Sequence, residues 1–188
     1  MKVVQVFRAE PSSESREGPF WIDNMIPCTT HDSPVLLPRQ LRLLTHEKDL
    51  LFIITRSKNS NTIAYRRIEN EVEAFWQRLD DYPDEAVTDL DALKKDLGWL
   101  ERKLAYGVST DKKTGDVSVV PVPSMRLKLV QDEQGLWKCQ GVLDGRLCSL
   151  LRIYVSASDT AMLPLVHFVN IHGIDVQTGQ EIVQKINN

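Results

Sequence analysis

The sequence predicts an α+β domain: an antiparallel β-sheet or incomplete barrel of about seven to nine strands, with two helices inserted after the first long hairpin. Three observations lead there. Residues 51–68 alternate along two arms around a polar centre. Apolar residues between Val72 and Leu104 then recur at spacings of three and four. From Val108 to Ile186 the period becomes two, interrupted by turn pairs such as Asp144-Gly145 and Thr178-Gly179.

Residues 1–46 are expected to form an N-terminal strand and an extended arm, with a mobile polar loop at 9–20 and a short helix around Gln40–Glu47. Residues 47–188 form the single α+β domain. Its first element is the hairpin, whose arms are rich in β-branched and aromatic residues and whose centre, Lys58-Asn59-Ser60-Asn61, is turn chemistry. A four-residue loop at Lys58–Asn61 sets Arg56 opposite Ile63 and Ile54 opposite Tyr65. One face then holds Phe52, Ile54, Ile63 and Tyr65, with Arg56 and Arg67 at its ends. Thr55, Ser57, Thr62, Ala64 and Arg66 fall on the other face with Ile53.

The run Leu51-Phe-Ile-Ile-x-Arg-Ser-Lys-Asn-x-Asn-Thr-Ile-x-Tyr65 resembles the opening of an uncharacterised domain-of-unknown-function family, number four-eight-three-three. Ala105-Tyr106-Gly107-Val108 and the glycine-containing C-terminal hairpin are similar to it too, so the resemblance spans roughly residues 47–186. It implies one soluble α+β domain with no known activity. It transfers no catalytic residue and draws attention to Arg56, Asn59 and Asn61.

Val72, Phe75, Trp76 and Leu79 have the spacing of one helix face, and Asp80-Asp81-Tyr82-Pro83 closes that helix. The second helix opens on Thr88 with Asp91 as a capping box. It carries a seam of Leu90, Leu93, Leu97, Leu100 and Leu104, with Gly107 as its left-handed stop. Such a seam packs on a sheet or joins a coiled coil, and its shortness favours packing within the chain.

Among the later strands, Val117–Pro123 reads as an edge strand because its prolines lack a ladder donor. Met125–Val130, Leu136–Leu143, Arg146–Val155, Pro164–Ile174 and Glu181–Ile186 follow as hairpins. An Asp144-Gly145 turn sets Leu143 opposite Arg146 and leaves Cys139 and Cys148 as diagonal neighbours about 7–8 Å apart. That separation argues for thiols rather than a disulfide.

With 188 residues, 42% hydrophobic and 26% charged, the chain can bury one good core. A net charge of −3 disfavours a general nucleic-acid partner, and no apolar run is long enough for a membrane span. Three cysteines suit a reducing compartment, so a cytoplasmic location is expected. The Cys28–His31 pair lacks a second half, so no metal is expected. Nor is any cofactor, since the nine glycines form no phosphate loop. No nucleophile elbow appears, and the acidic pairs Asp80-Asp81, Asp84-Glu85 and Asp132-Glu133 lie in predicted turns with nothing to set two of them across a cleft.

Two groups remain. Arg56, Lys58, Asn59 and Asn61 crowd one end of the hairpin, where a guanidinium fork and an ammonium suit an anion. Asn170 and His172 share a strand face. The function expected is a non-enzymatic ligand-binding or interaction module, with the hairpin turn holding a small anion or polar metabolite. The alternatives are a hydrolase or transferase using the same cluster with His172, and a structural subunit with a protein partner.

Overall fold

Alternation in the first hairpin becomes a ribbon of β1 (Leu50–Arg56) and β2 (Asn59–Ile68) in a computed structural model. The structure describes residues 40, 49–56, 59–77, 94, 97–159 and 164–187. The expectations for the 1–46 arm fall outside these, except that Gln40 is helical and buried. The ribbon keeps the expected faces but not the expected turn. Ile54 pairs with Ile63 and Phe52 with Tyr65, and Arg56 pairs with Asn59 across a two-residue connection. Pairing therefore slides by two residues, which preserves sidedness because the side-chain period is two. Phe52 and Tyr65 stack with ring centroids 4.4 Å apart.

The first expected helix is instead a strand, β3 (Glu71–Gln77), paired along its length with β2 through a tight turn at Glu69 and Asn70. The misreading has a physical cause. Val72 and Ala74 bury on one face, Phe75 and Gln77 on the other. A strand buried on both sides loses the polar alternation that would distinguish it from a helix.

The second helix fares partly. Its start at Thr88 and the residues Leu90 and Leu93 lie outside the described residues, while Lys94 is helical. Extended Gly98 interrupts the pattern and caps a short helix α1 (Trp99–Glu101), which runs into a π-helical turn at Arg102–Tyr106. Glu101 Oε2 accepts the Gly98 N–H at 2.9 Å, and Arg102 reaches back to the carbonyls of Leu97 and Lys94. Leu97 is buried, but Leu100 and Leu104 are 60% and 66% exposed, so the leucines do not form one buried seam. Gly107 is extended rather than left-handed. Its glycine is required because an added Cβ would overlap the Arg102 carbonyl oxygen.

Seven strands follow: β4 (Val108–Thr110), β5 (Asp116–Val119), β6 (Leu127–Gln131), β7 (Trp137–Leu143), β8 (Arg146–Asp159), β9 (Pro164–Asp175) and β10 (Glu181–Asn187). The strand expected at Val117–Pro123 stops at Val119, before both prolines, and lies between β4 and β6 rather than at an edge. The Asp144-Gly145 turn takes positive φ at both residues, and Leu143 does face Arg146. Cys139 and Cys148 are buried free thiols, and burial pushes the Cys139 thiol up to about 12.

β8 organises the sheet. β9 runs along one edge of it, while the other edge is shared by β7 and then, in parallel, by β1. Two branches, β1-β2-β3 and β7-β6-β5-β4, diverge from that edge and curl together. They nearly close a barrel where the Val72 N–H meets Thr110 Oγ1 at 3.0 Å. The core fills the space between them, with Phe52, Tyr65, Val119, Leu127, Leu143 and Ile153 among its residues. Each such side chain contributes about 1.5–3 kcal/mol of burial.

Candidate functional site

The outer face of the β1-β2-β3 branch, continued across β8, β9 and β10, is where polar side chains gather. Cross-strand pairing aligns Gln77, Thr62, Thr55, Tyr154, Asn170 and Lys185 as one row over six strands. The neighbouring row is Phe75, Ala64, Ile53, Arg152, His172 and Val183. Directly paired residues share a face, so both rows project to the same side. Except for Lys185 and Val183, every member of the two rows is buried.

Polar groups in such a setting need partners, because an unmade hydrogen bond to a buried group costs about 1–3 kcal/mol. Some are met. Gln40 Nε2 donates to Thr62 Oγ1 at 3.1 Å, and His172 Nδ1 lies 2.8 Å from Glu181 Oε1. The Arg152 guanidinium stacks over Tyr154 at 5.3 Å. Burial pulls it down to about 10, against the opposing fields of Tyr154 and Glu181, so it stays charged at neutral pH. Among the described residues, Thr55 Oγ1 and Gln77 Nε2, on residues only 3% and 6% exposed, have no hydrogen-bond partner.

At the hairpin end, Arg56 is half-buried and its Nη1 donates to the Tyr106 hydroxyl at 3.1 Å. The Tyr65 hydroxyl donates to the Tyr106 carbonyl at 2.9 Å. Burial raises the Tyr106 phenol above its ordinary value, with Arg56 opposing. Lys58 lies outside the described residues, as do the side chains of Asn59 and Asn61, whose backbone opens β2. Beside the barrel seam, a cleft of about 380 Å³ is lined by Glu71, Glu73, Lys94, Trp99, Arg102 and Tyr106 among others. Lys94 is ion-paired with Glu73 there.

A family model described as Domain of unknown function (DUF4833) matches residues 52–185. The chain belongs to this family. No curated protein and no solved structure matches it. The DUF4833 region begins in β1 and ends in β10, so it contains both buried rows. The two stretches that carry the resemblance in the sequence meet in space, since Arg56 and Tyr65 of the first both bond Tyr106 of the second.

Asn170 and His172 share the outer face, as strand alternation requires, and are separated in space from Arg56 by the barrel wall between inner and outer faces. Sequence reasoning did not single out Thr55, Gln77, Tyr154 or Arg152. Arg152 had a visible signal, being a lone cation within the apolar run Leu150-Leu-Arg-Ile-Tyr154. Thr55 had none, because Thr alternating with Ile looks like an ordinary solvated strand face. Among the described residues, no group of three or more His, Cys, Asp or Glu is arranged to hold a metal. None of their helices is long and apolar enough to cross a membrane.

Proposed function

We propose that this DUF4833 protein is a non-catalytic module that binds a small polar ligand against the outer sheet face, over the row from Gln77 to Asn170. One observation carries the reading: Thr55 Oγ1 and Gln77 Nε2 are buried on a shared row without hydrogen-bond partners among the described residues. Strands hold these groups on rigid backbone, which suits recognition by preorganised hydrogen bonds. A cytoplasmic setting is part of the proposal, supported by the buried free thiols.

Thr55→Val tests it. Valine has nearly the same shape without the orphan hydroxyl, so the ligand-free protein should gain about 1 kcal/mol, roughly 2–4 °C in melting temperature at this chain length. A loss of that size would mean that the hydroxyl is already bonded, and the site would fall.

A second reading rests on the His172–Glu181 pair, since a carboxylate on Nδ1 is how proteins orient an imidazole for proton transfer. A hydrolase or transferase would consume its ligand. NMR of a bound ligand over hours, with His172→Gln as control, separates turnover from simple binding.

A further inference from the structure

The β3 and β4 ends of the sheet curl together near Val72 and Thr110, whereas β10 lies at an end that meets no other strand. Among the described residues, β10 pairs with β9 alone and its second edge is bare. Proteins usually blunt such an edge with a proline, a bulge or a very short strand, because its N–H and C=O groups template another strand. β10 has none of these, and its seven residues pair with β9 without a register shift. The Asp175 N–H donates to the Gln180 carbonyl at 2.9 Å, which sets the phase of that ladder. Hydrogen-bonded pairs alternate along antiparallel strands. Ile182, Gln184 and Ile186 therefore direct their backbone groups at β9, while Glu181, Val183 and Lys185 present theirs outward.

We propose that this edge pairs antiparallel with β10 of a second copy of the chain, about a two-fold axis at Val183. Charge selects both the partner and the register. Centred on Val183, each Glu181 faces Lys185 of the second copy, and Val183 faces its own counterpart as a β-branched pair. Centring on Glu181 or Lys185 would oppose like charges, and centring on Ile182 or Gln184 would set a charge opposite Val183. Glu181 holds His172 through Oε1, and the Lys185 ammonium lies over the Phe168 ring at 4.1 Å. The opposed charges act across the strand spacing, so neither has to leave its contact. Such an isologous pairing closes on itself, which gives a dimer rather than a fibre. It does not depend on the site proposed for Thr55 and Gln77.

The test is sedimentation velocity of the full chain from about 1 to about 300 μM. The species should grow from 21.4 kDa toward twice that mass as concentration rises. Val183→Pro removes an outward N–H and leaves the β9 ladder complete, so it should be folded by circular dichroism and monomeric throughout. Lys185→Glu sets like charges across the edge and should weaken the dimer about tenfold. Adding Glu181→Lys to that variant exchanges the two charges and should restore the affinity. A 21.4 kDa species at every concentration would leave the edge to a strand of another protein and overturns the proposal. A dimer that a folded Val183→Pro leaves intact overturns it too, because the contact then lies elsewhere. Whether or not the proline variant folds, a Lys185→Glu dimer as tight as the wild type overturns the pairing about Val183.

Discussion

Arg56 closes β1 with its guanidinium on the Tyr106 hydroxyl, tying the first hairpin to the π-helical turn. In a turn that captures anions, removing this side chain would cost nothing without the anion. In the arrangement seen, it strips a donor from a buried phenol whose own backbone carbonyl is held by Tyr65. Arg56→Ala should therefore lower the ligand-free stability by about 1–3 kcal/mol, whether or not phosphate is present. An unchanged melting temperature in plain buffer, with a lost response to phosphate, would return Arg56 to the role of anion ligand. Thr55 stands at the opposite extreme, as a buried residue whose polar atom has no described use within the chain.

At the scale of elements, the segment before β4 shows what one glycine does to a leucine pattern. Gly98 breaks the helix and turns Leu97 inward, while Leu100 and Leu104 end up in solvent. Leu97→Ala should cost about 2–5 kcal/mol, as other buried leucines do, and Leu104→Ala about 0.5 kcal/mol or less. Equal losses at both positions, measured by urea unfolding, would restore a continuous buried seam. The β9–β10 turn supplies a pH test. Asp175 accepts the N–H groups of Gln177 at 2.8 Å and Thr178 at 3.2 Å. Chiefly through the Gln177 bond, its carboxyl is held below the ordinary 3.8. A folded value lower than the unfolded one stabilises the protein above the ordinary carboxylate range, and that stability is lost as pH falls through the lowered value. Asp175→Asn should flatten the fall of melting temperature below pH 4, and an unaltered slope would show that other carboxylates dominate.

Across the whole molecule, the fold hangs on β8, paired on one edge with β9 and on the other with β7 and β1. Over residues 148–149 and 152–155 it is laddered on both sides, whereas β4 has three residues and, among the described strands, pairs in register only with β5. Native-state hydrogen exchange should accordingly be slowest in β8 and β1 and fastest in β4 and at the end of β10. Protection in β4 equal to that of β8 would mean a fully closed barrel, with the seam near Val72 and Thr110 hydrogen-bonded as a ladder. The cleft beside that seam is then the place where the two branches fail to meet.

The sequence alone determined the strands that have one solvent face, the tight Asp144-Gly145 turn and the sidedness of the first hairpin. In each, the information is local: a period of two, or a residue pair that tolerates positive φ. It also set Asn170 and His172 on one face, because alternation needs no knowledge of the partner strand. Tertiary structure decided the rest. β3 became a strand because β2 offered an edge and both its faces found cover. The parallel pairing of β1 with β8 joins residues about a hundred positions apart, a distance no local pattern encodes. Burial of the outer face is what turned Thr55, Gln77 and Arg152 from routine strand residues into a candidate site. Whether a hydroxyl is solvated or stranded depends on what packs over it, and that is a property of the assembled fold.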